Sequence, residues 1–304
     1  MTQQPTQPPT IPVCYRHPSR ETYLRCSRCD RPICPACMHE AAVGQHCPDC
    51  VAEGRRTQRA PRTAFGGTAS GQHGYVTKAL IGVNVAMAVL AVIVGGTRAL
   101  VGGGWGGLLG ASTPLHEWGA MLGYASFTQF GPLHGVAAGE AYRLITNMFL
   151  HYGLLHVAVN MWALWVVGGV LEPLLGRARF LALYLVSGFG GGVAVYLFAA
   201  PNALTAGASG AVFGLFAAFF VVQRRLRRDT SAIVGILVIN LVLTFTVSGI
   251  SIAGHLGGMV TGAAVAAALA YAPRQRRTAV QSVATGAVVV LLVILTLVRT
   301  AALT

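Results

Sequence analysis

From residue 78 onward the chain is a succession of apolar runs separated by short polar breaks. Seven runs cover residues 78–96, 150–170, 180–199, 206–222, 232–248, 252–271 and 279–298. Each approaches the ~20 residues a helix needs to cross the hydrocarbon of a bilayer. The pattern predicts an all-α membrane protein with seven transmembrane helices. The fourth and fifth runs are short, so their ends need cover from neighbouring protein.

The breaks carry charge unevenly. Arg55, Arg56, Arg59, Arg62 and Lys78 precede the first run. Arg177 and Arg179 lie between the second and third, Arg224, Arg225, Arg227 and Arg228 between the fourth and fifth, and Arg274, Arg276 and Arg277 between the sixth and seventh. Alternating spans put these 14 positions on one side and leave Arg98, Arg143 and Arg299, only 3, on the other. Cationic loops stay cytosolic, which predicts a cytosolic N-terminus and an external C-terminus. The break over residues 97–149 is long enough to suggest function. Its Gly102, Gly103, Gly104, Gly106 and Gly107 surround Trp105, followed by Leu108, Leu109, Trp118, Met121, Leu122 and Tyr124. It reads as a partly helical element in the outer leaflet or as a loose surface loop.

Composition agrees. Of 304 residues 54% are hydrophobic and 10% charged, against about 25% charged in soluble domains. The net charge of +13 raises nucleic-acid binding as a reading, but the basic residues sit in the breaks as topology requires, and no specific nucleic-acid partner is expected. Residues 1–12 are rich in Pro, Gln and Thr and lack the apolar core of a signal peptide. They read as a disordered tail. Residues 53–77 read as a flexible basic linker.

Two polar motifs open apolar runs at the external face. Ser209 stands in Gly207-Ala208-Ser209-Gly210, and His255 in Ala253-Gly254-His255-Leu256-Gly257-Gly258. The two residues are 46 positions apart, yet the topology sets them at similar depth. A serine hydroxyl becomes a useful nucleophile when a base takes its proton, and a histidine of ordinary pKa near 6.5 suits that task. Gly210 and Gly214 below Ser209, and Gly258 and Gly262 below His255, predict close packing of the two helices. His151, His156 and Asn160 lie near the external end of the second run. His156 and Asn160, at i and i+4, share a helix face and can donate to an oxyanion together with the Ser209 N–H. No Asp lies in any run, and Glu172 falls at the far end of the second. The expectation is a Ser-His dyad whose imidazole is oriented by packing, with Phe213 one turn after Ser209 stacked on it. A lone Ser or His in such a helix is ordinarily a packing or hydrogen-bonding residue; the convergence on one face is what favours chemistry. Asn84, Asn240 and Ser187 belong to no such group and read as helix–helix hydrogen-bonding residues.

On these motifs the chain resembles the rhomboid family of intramembrane serine proteases. The matching residues are Gly207-Ala208-Ser209-Gly210, the His156–Asn160 pair preceded by His151, and His255 with Gly258 and Gly262. Tyr142-Arg143 is similar to the family's aromatic-Arg pair in the first loop. Where Phe213 and Tyr142 stand, family members often have Tyr and Trp. The resemblance covers residues 78–271. It implies a six-helix rhomboid core with an additional C-terminal helix at 279–298, and cleavage of transmembrane protein substrates near the outer face from a water-filled cavity. Entry past the fifth run is implied as well. Ser209 and His255 would be catalytic, His156, Asn160 and the Ser209 N–H the oxyanion donors, and no cofactor is implied for catalysis. A non-catalytic rhomboid-like scaffold and a transporter are the alternatives; the chain has no clear internal repeat of the kind a transporter would predict.

All seven cysteines precede residue 51. In a cytosolic segment, clustered cysteines more often bind metal than form disulfides. Cys14-x2-His17, Cys26-x2-Cys29, Cys34-x2-Cys37 and Cys47-x2-Cys50 supply eight ligands, enough for two tetrahedral structural zinc ions in a domain over residues 13–52. His39 and His46 are alternative ligands. The domain resembles a B-box-type zinc finger, which implies crossed pairing: Cys14, His17, Cys34 and Cys37 on one ion, Cys26, Cys29, Cys47 and Cys50 on the other. Sequential pairing is the alternative. A cytosolic protein is the expected partner of this domain.

Overall fold

The computed structural model describes residues 11–57, 62–68, 74–101, 103, 110–126 and 132–304. The chain forms two compact units, Met1–Ala60 and Pro61–Thr304. The polar N-terminal residues 1–10, the loop residues Gly102 and 104–109, and Arg59 of the basic linker lie outside the described residues.

The first unit is two short hairpins and a helix. β1 (Val13–Cys14) pairs antiparallel with β2 (His17–Glu21), and β3 (His39–Glu40) with β4 (Gln45–His46). α1 (Pro48–Thr57) follows, with Asp49 in its first turn and Arg55 and Arg56 in its last, the order the helix dipole favours. Thr22 ties the turn together, donating to the Ile33 carbonyl at 2.8 Å and accepting from the Leu24 N–H at 3.1 Å. The core is Ile33 among buried cysteines. Such a small hydrocarbon core leaves folding dependent on another source of stability.

The second unit is helical. α2 (Tyr75–Gly95) is followed by the short α3 (Pro114–Gly119) and α4 (Arg143–Thr146). Then come α5 (Leu154–Leu175), α6 (Arg177–Phe198), α7 (Ser209–Arg225), α8 (Ser231–Thr246), α9 (Ile252–Tyr271) and α10 (Arg277–Leu303). α2, α5, α6, α9 and the stretch Arg274–Leu303 are long and apolar enough to cross a membrane; α8 is apolar but shorter. Among the described residues, a helix stands at each of the seven apolar runs. The second begins at Leu154, because Gly153, with φ 94°, breaks the backbone where apolarity alone suggests continuity. The short α7 begins at Ser209 itself.

Small residues set the packing of α6, α7 and α9. A Cβ on Gly258 would fall on the Gly210 carbonyl, and one on Gly262 on the Gly214 backbone. α6 contributes Gly190, whose missing side chain admits Thr261 of α9. Apolar surface gains nothing from association in lipid, so this close backbone approach is the main source of contact energy there. At the opposite ends of α7 and α9, Gln281 of α10 donates to the carbonyls of Leu269 and Phe65 and accepts from Arg179 at 2.7 Å. The stretch read as a linker is partly structured: its first residues continue α1, and residues 62–68 form a turn that buries Phe65.

Glu172 is fully buried on α5 and accepts from the N–H groups of Val76 and Thr77 at 3.0 and 2.9 Å, and from the Thr77 hydroxyl at 2.8 Å. These N–H groups belong to the first turn of α2, which has no capping side chain of its own, so a carboxylate from a neighbouring helix does the work of a cap. Of the three lone polar residues, Asn84 donates across to Tyr184 at 3.4 Å. Asn240 bonds back to the Ile236 carbonyl of its own helix at 2.8 Å, as Asn84 also does to that of Leu80. Ser187 is buried with no hydrogen-bond partner among the described residues, filling space against Gly214.

The Gly262–Gly214 contact leaves no room for a side chain. Gly262→Val should lower the stability of the folded protein by about 1–3 kcal/mol or more, the usual cost of overpacking, measured as the thermal midpoint in detergent. Val substituted at Gly286, where the added Cβ meets open space, should leave it nearly unchanged.

Candidate functional site

The starts of α5, α7 and α9 lie at one end of the helical unit, and the polar side chains gather there. Ser209 is the first residue of α7. The chain reaches it through Gly207, whose φ of 144° suits glycine. This approach is held at two points. The Gly207 N–H donates to the Asn147 carbonyl at 3.0 Å, and the Ala208 N–H donates to His151 Nε2 at 3.3 Å. His151 lies in the turn before α5, not on the helix as the apolar run suggests.

His156 stands on the first turn of α5. The Tyr152 N–H donates to its Nδ1 at 3.3 Å. A neutral imidazole that accepts at one nitrogen carries its hydrogen on the other, so His156 Nε2 is a donor. The point a methyl group would occupy on Gly207 lies 2.9 Å from His156 Cε1 and Nε2 and 3.5 Å from Ser209 Oγ. That is too close for a side chain, so the glycine lets the His156 ring close on the turn that carries Ser209 Oγ. Asn160, one turn further, donates to the His156 carbonyl at 2.9 Å; an amide has two N–H hydrogens, and the second is left for another acceptor.

His255 is buried on the first turn of α9. Its ring stacks on Phe213 with centroids 4.1 Å apart and planes 19° apart. Gly258, one turn on, brings its helix against Gly210. His255 Nδ1 lies 2.8 Å from the hydroxyl of Thr244 on α8. No motif points to this partner, since Thr244 is 11 positions away in a run whose other polar residues, Asn240 and Thr246 among them, give it no distinguishing signal. Among the described residues, no hydrogen bond engages His255 Nε2 or Ser209 Oγ.

A structured loop braces this end. His116, buried on α3, accepts at Nδ1 from Thr113 and donates from Nε2 to the His151 carbonyl at 3.1 Å, while stacking on Tyr152 at 4.4 Å. Burial holds its pKa below the ordinary range, which keeps this neutral pattern. No sequence motif marks His116 within the long loop. Arg143, also buried, donates to Glu140 at 2.6 Å and to the Ala120 carbonyl at 2.9 Å. Tyr142 stacks on Trp118 at 5.4 Å. Burial pushes the Glu140 carboxyl up, but hydrogen bonds from His134, Arg143 and the Gly135 N–H outweigh it and bring the pKa from 4.5 down to about 2. Much of the first loop is therefore built structure.

In the N-terminal unit the ligand-type residues form two groups. Cys14, His17, Cys34 and Cys37 are one, and Cys26, Cys29, Cys47 and Cys50 the other, with ligand atoms in each within 4.8 Å of one another. The grouping is crossed, because the β1–β2 hairpin lies beside Cys34 and Cys37 while Cys47, just before α1, and Cys50, in its first turn, reach the knuckle at Cys26. Cys29 Sγ lies 3.7 Å from Cys47 Sγ, and His17 Nδ1 lies 3.4 and 3.3 Å from the sulfurs of Cys34 and Cys37. A tetrahedron with metal–sulfur bonds near 2.3 Å has edges of about 3.8 Å, so both groups can hold a metal ion. His39 and His46 pair across the β3–β4 hairpin, outside both groups. Arg31 donates to Cys29 Sγ at 3.3 Å and Cys47 Sγ at 3.6 Å, and this guanidinium holds the Cys29 thiol below its ordinary pKa.

Comparison with known proteins bears on the helical unit. The Rhomboid domain model matches residues 138–272. The chain is 42% identical over 139 residues to rhomboid protease GluP of Bacillus subtilis, covering 44% of this chain and 27% of that protein. It is 36% identical over 133 residues to putative rhomboid protease YdcA of the same organism, covering 42% of this chain and 67% of the relative. RHOMBOID-like protein 6, mitochondrial, of Arabidopsis thaliana is 33% identical over 134 residues, which are 42% of this chain and 43% of that one. The chain therefore spans well under two thirds of the GluP sequence, and the Rhomboid domain match includes Arg143, His156, Ser209 and His255.

The Glu140 network makes an acid-dependence prediction. A carboxyl whose pKa is depressed on folding stabilises the folded state fully above its unfolded value and loses that contribution as pH falls through the folded one. Thermal midpoints should therefore fall between about pH 4.5 and about pH 2. Glu140→Gln should lower the midpoint at pH 7 and remove this component of the acid dependence.

Proposed function

The chain belongs to the rhomboid family, and we propose that it is an intramembrane serine endopeptidase that cleaves transmembrane protein substrates near the external face. It is a multi-pass membrane protein. The observation that carries the proposal is the close approach of the His156 ring to Gly207 in the turn that carries the Ser209 hydroxyl, with the His255 imidazole on the neighbouring helix packed against it.

In this reading Ser209 Oγ attacks the scissile carbonyl and His255 Nε2 takes its proton. The tetrahedral oxyanion accepts from His156 Nε2–H, from the Ser209 N–H at the start of α7, and from Asn160. Collapse expels the amine, which receives the proton from His255, and leaves an acyl-enzyme. Water then repeats the sequence in reverse roles. Phe213 covers one face of the imidazole. Gly207 lets the His156 donor come close to the nucleophile turn, and His151 and Arg143 support the loops around it. No cofactor takes part.

The N-terminal unit is proposed as a structural zinc module with two closed sites. One has three cysteines and a histidine and the other four cysteines, so neither has an open coordination position. On a protein with the charge bias described above it faces the cytosol, where it offers a folded surface to a protein partner. Zinc would supply folding energy that the small core does not.

The decisive assay uses purified protein and a tagged model transmembrane substrate. Wild type should cleave it. Ser209→Ala and His255→Ala should each lose at least about 10³-fold in rate, and His156→Ala about 10²–10³-fold. Equal cleavage by all variants would reject the assigned dyad, and absence of cleavage in the wild type would favour a non-catalytic membrane scaffold. For the zinc module, metal analysis should find two ions per chain, and Cys34→Ser should retain one. Chelation should make residues 13–52 sensitive to protease, and a variant lacking residues 1–60 should keep most of its basal cleavage. Total loss of cleavage in that variant, correctly inserted, would contradict an accessory role.

A further inference from the structure

α8 differs from its neighbours in how little of it is buried. Only Ile233 and Thr244 are buried along its length, while Val238, Ile239, Val242 and Phe245 are exposed. Thr244 is thus its one buried polar side chain. Its hydroxyl donates to the Asn240 carbonyl at 2.7 Å and lies 2.8 Å from His255 Nδ1 on α9.

The two contacts together fix a proton. A hydroxyl has one hydrogen and two lone pairs. With that hydrogen committed to the Asn240 carbonyl, the contact to His255 has the imidazole as donor. A neutral imidazole has one N–H, so it is on Nδ1 and Nε2 is bare. That is the tautomer a base needs if Nε2 is to take a proton. The ring is also held from a second direction, by the stack on Phe213 of α7 at 4.1 Å. Stacking fixes the plane of the imidazole, and the hydrogen bond to Thr244 fixes its rotation within that plane.

We propose that Thr244 is a positioning residue for the base, setting the tautomer and orientation of His255 and tying both to the seating of α8. The inference rests on the reading of His255 as the base. Thr244 does the orienting that a carboxylate does in a Ser-His-Asp triad, without adding a charge inside the membrane. When Nε2 receives the serine proton, Nδ1 keeps its own hydrogen and the same bond persists in the imidazolium, so no proton passes to Thr244. Because α8 has so little other burial, displacing it from α9 breaks this bond and frees the ring to rotate or change tautomer. The competence of the base is thereby made conditional on α8 being in place.

The test has two arms. In the first, cleavage of a tagged model transmembrane peptide is measured for wild type, Ser209→Ala, Thr244→Val and Thr244→Ser. Thr244→Val should lower kcat by about tenfold, the effect of one neutral hydrogen bond, at unchanged KM and unchanged thermal midpoint. Thr244→Ser, which keeps the hydroxyl, should stay within about threefold of wild type. A Thr244→Val enzyme as fast as wild type, a Thr244→Ser enzyme as impaired as Thr244→Val, or a loss that tracks the thermal midpoint would overturn the proposal. The second arm needs no activity. Nitrogen NMR of labelled histidine in the resting protein should report His255 as the Nδ1–H tautomer in wild type and Thr244→Ser, and as a mixture in Thr244→Val. An Nε2–H ring in wild type would overturn the role of Thr244 whatever the enzyme does. Equal cleavage by wild type and Ser209→Ala would instead reject the dyad, leaving the NMR result to decide Thr244 separately.

Discussion

The backbone contact between α7 and α9 is the constraint on which the site depends. With Gly210 against Gly258 and Gly214 against Gly262, the two helices approach as closely as their backbones permit. In a bilayer this contact is dispersion between polypeptide surfaces, with no hydrophobic gain behind it. It does more than hold the bundle together. Ser209 and His255 both lie in first turns, at or just before the first glycine of each pair, so the helix separation also limits the separation of the two groups. A bulkier residue at these positions would move the hydroxyl and imidazole apart while leaving each on a well-formed helix.

The remaining elements adjust what that contact positions. α5 brings His156 in as a donor, with its tautomer set by the Tyr152 N–H. The first loop reaches the nucleophile through a short chain of bonds, from His116 to the His151 carbonyl and from His151 Nε2 to the N–H of Ala208. Each bond is modest in energy. Together they hold a glycine-containing turn that would otherwise sample many backbone states. At the opposite end of the helices, Glu172 anchors the start of α2 from within α5. Its side chain is matched by three donors, which is what makes a fully buried acidic residue tolerable.

The features legible in sequence follow periodicity and spacing. The apolar runs located the long helices, because a span of about 20 apolar residues has few other outcomes. The x2 spacing located the Cys/His groups, because short chelating pairs constrain geometry locally. Helix starts were less legible: Gly153 ends the apolar run as a helix, and only its left-handed backbone reveals it. Contacts across the fold were the least legible. Thr244 meeting His255 depends on how α8 leans against α9, and Glu172 meeting the first turn of α2 on two helices 95 positions apart in the chain. His116 lacked a motif altogether. Nothing local distinguishes these residues from a threonine, a glutamate or a histidine doing nothing in particular.

An alcohol on α7 and an imidazole on α9 that serve one reaction must lie across a gap a single small molecule can bridge. A bifunctional electrophile that acylates a serine and then alkylates a neighbouring imidazole tests this directly, with peptide mapping by mass spectrometry as the readout. The expected product is one cross-linked species joining the peptide of Ser209 to that of His255, absent when either residue is replaced. Labelling of Ser209 with no bridge to His255, or a bridge to a different histidine, would contradict the pairing of these two groups.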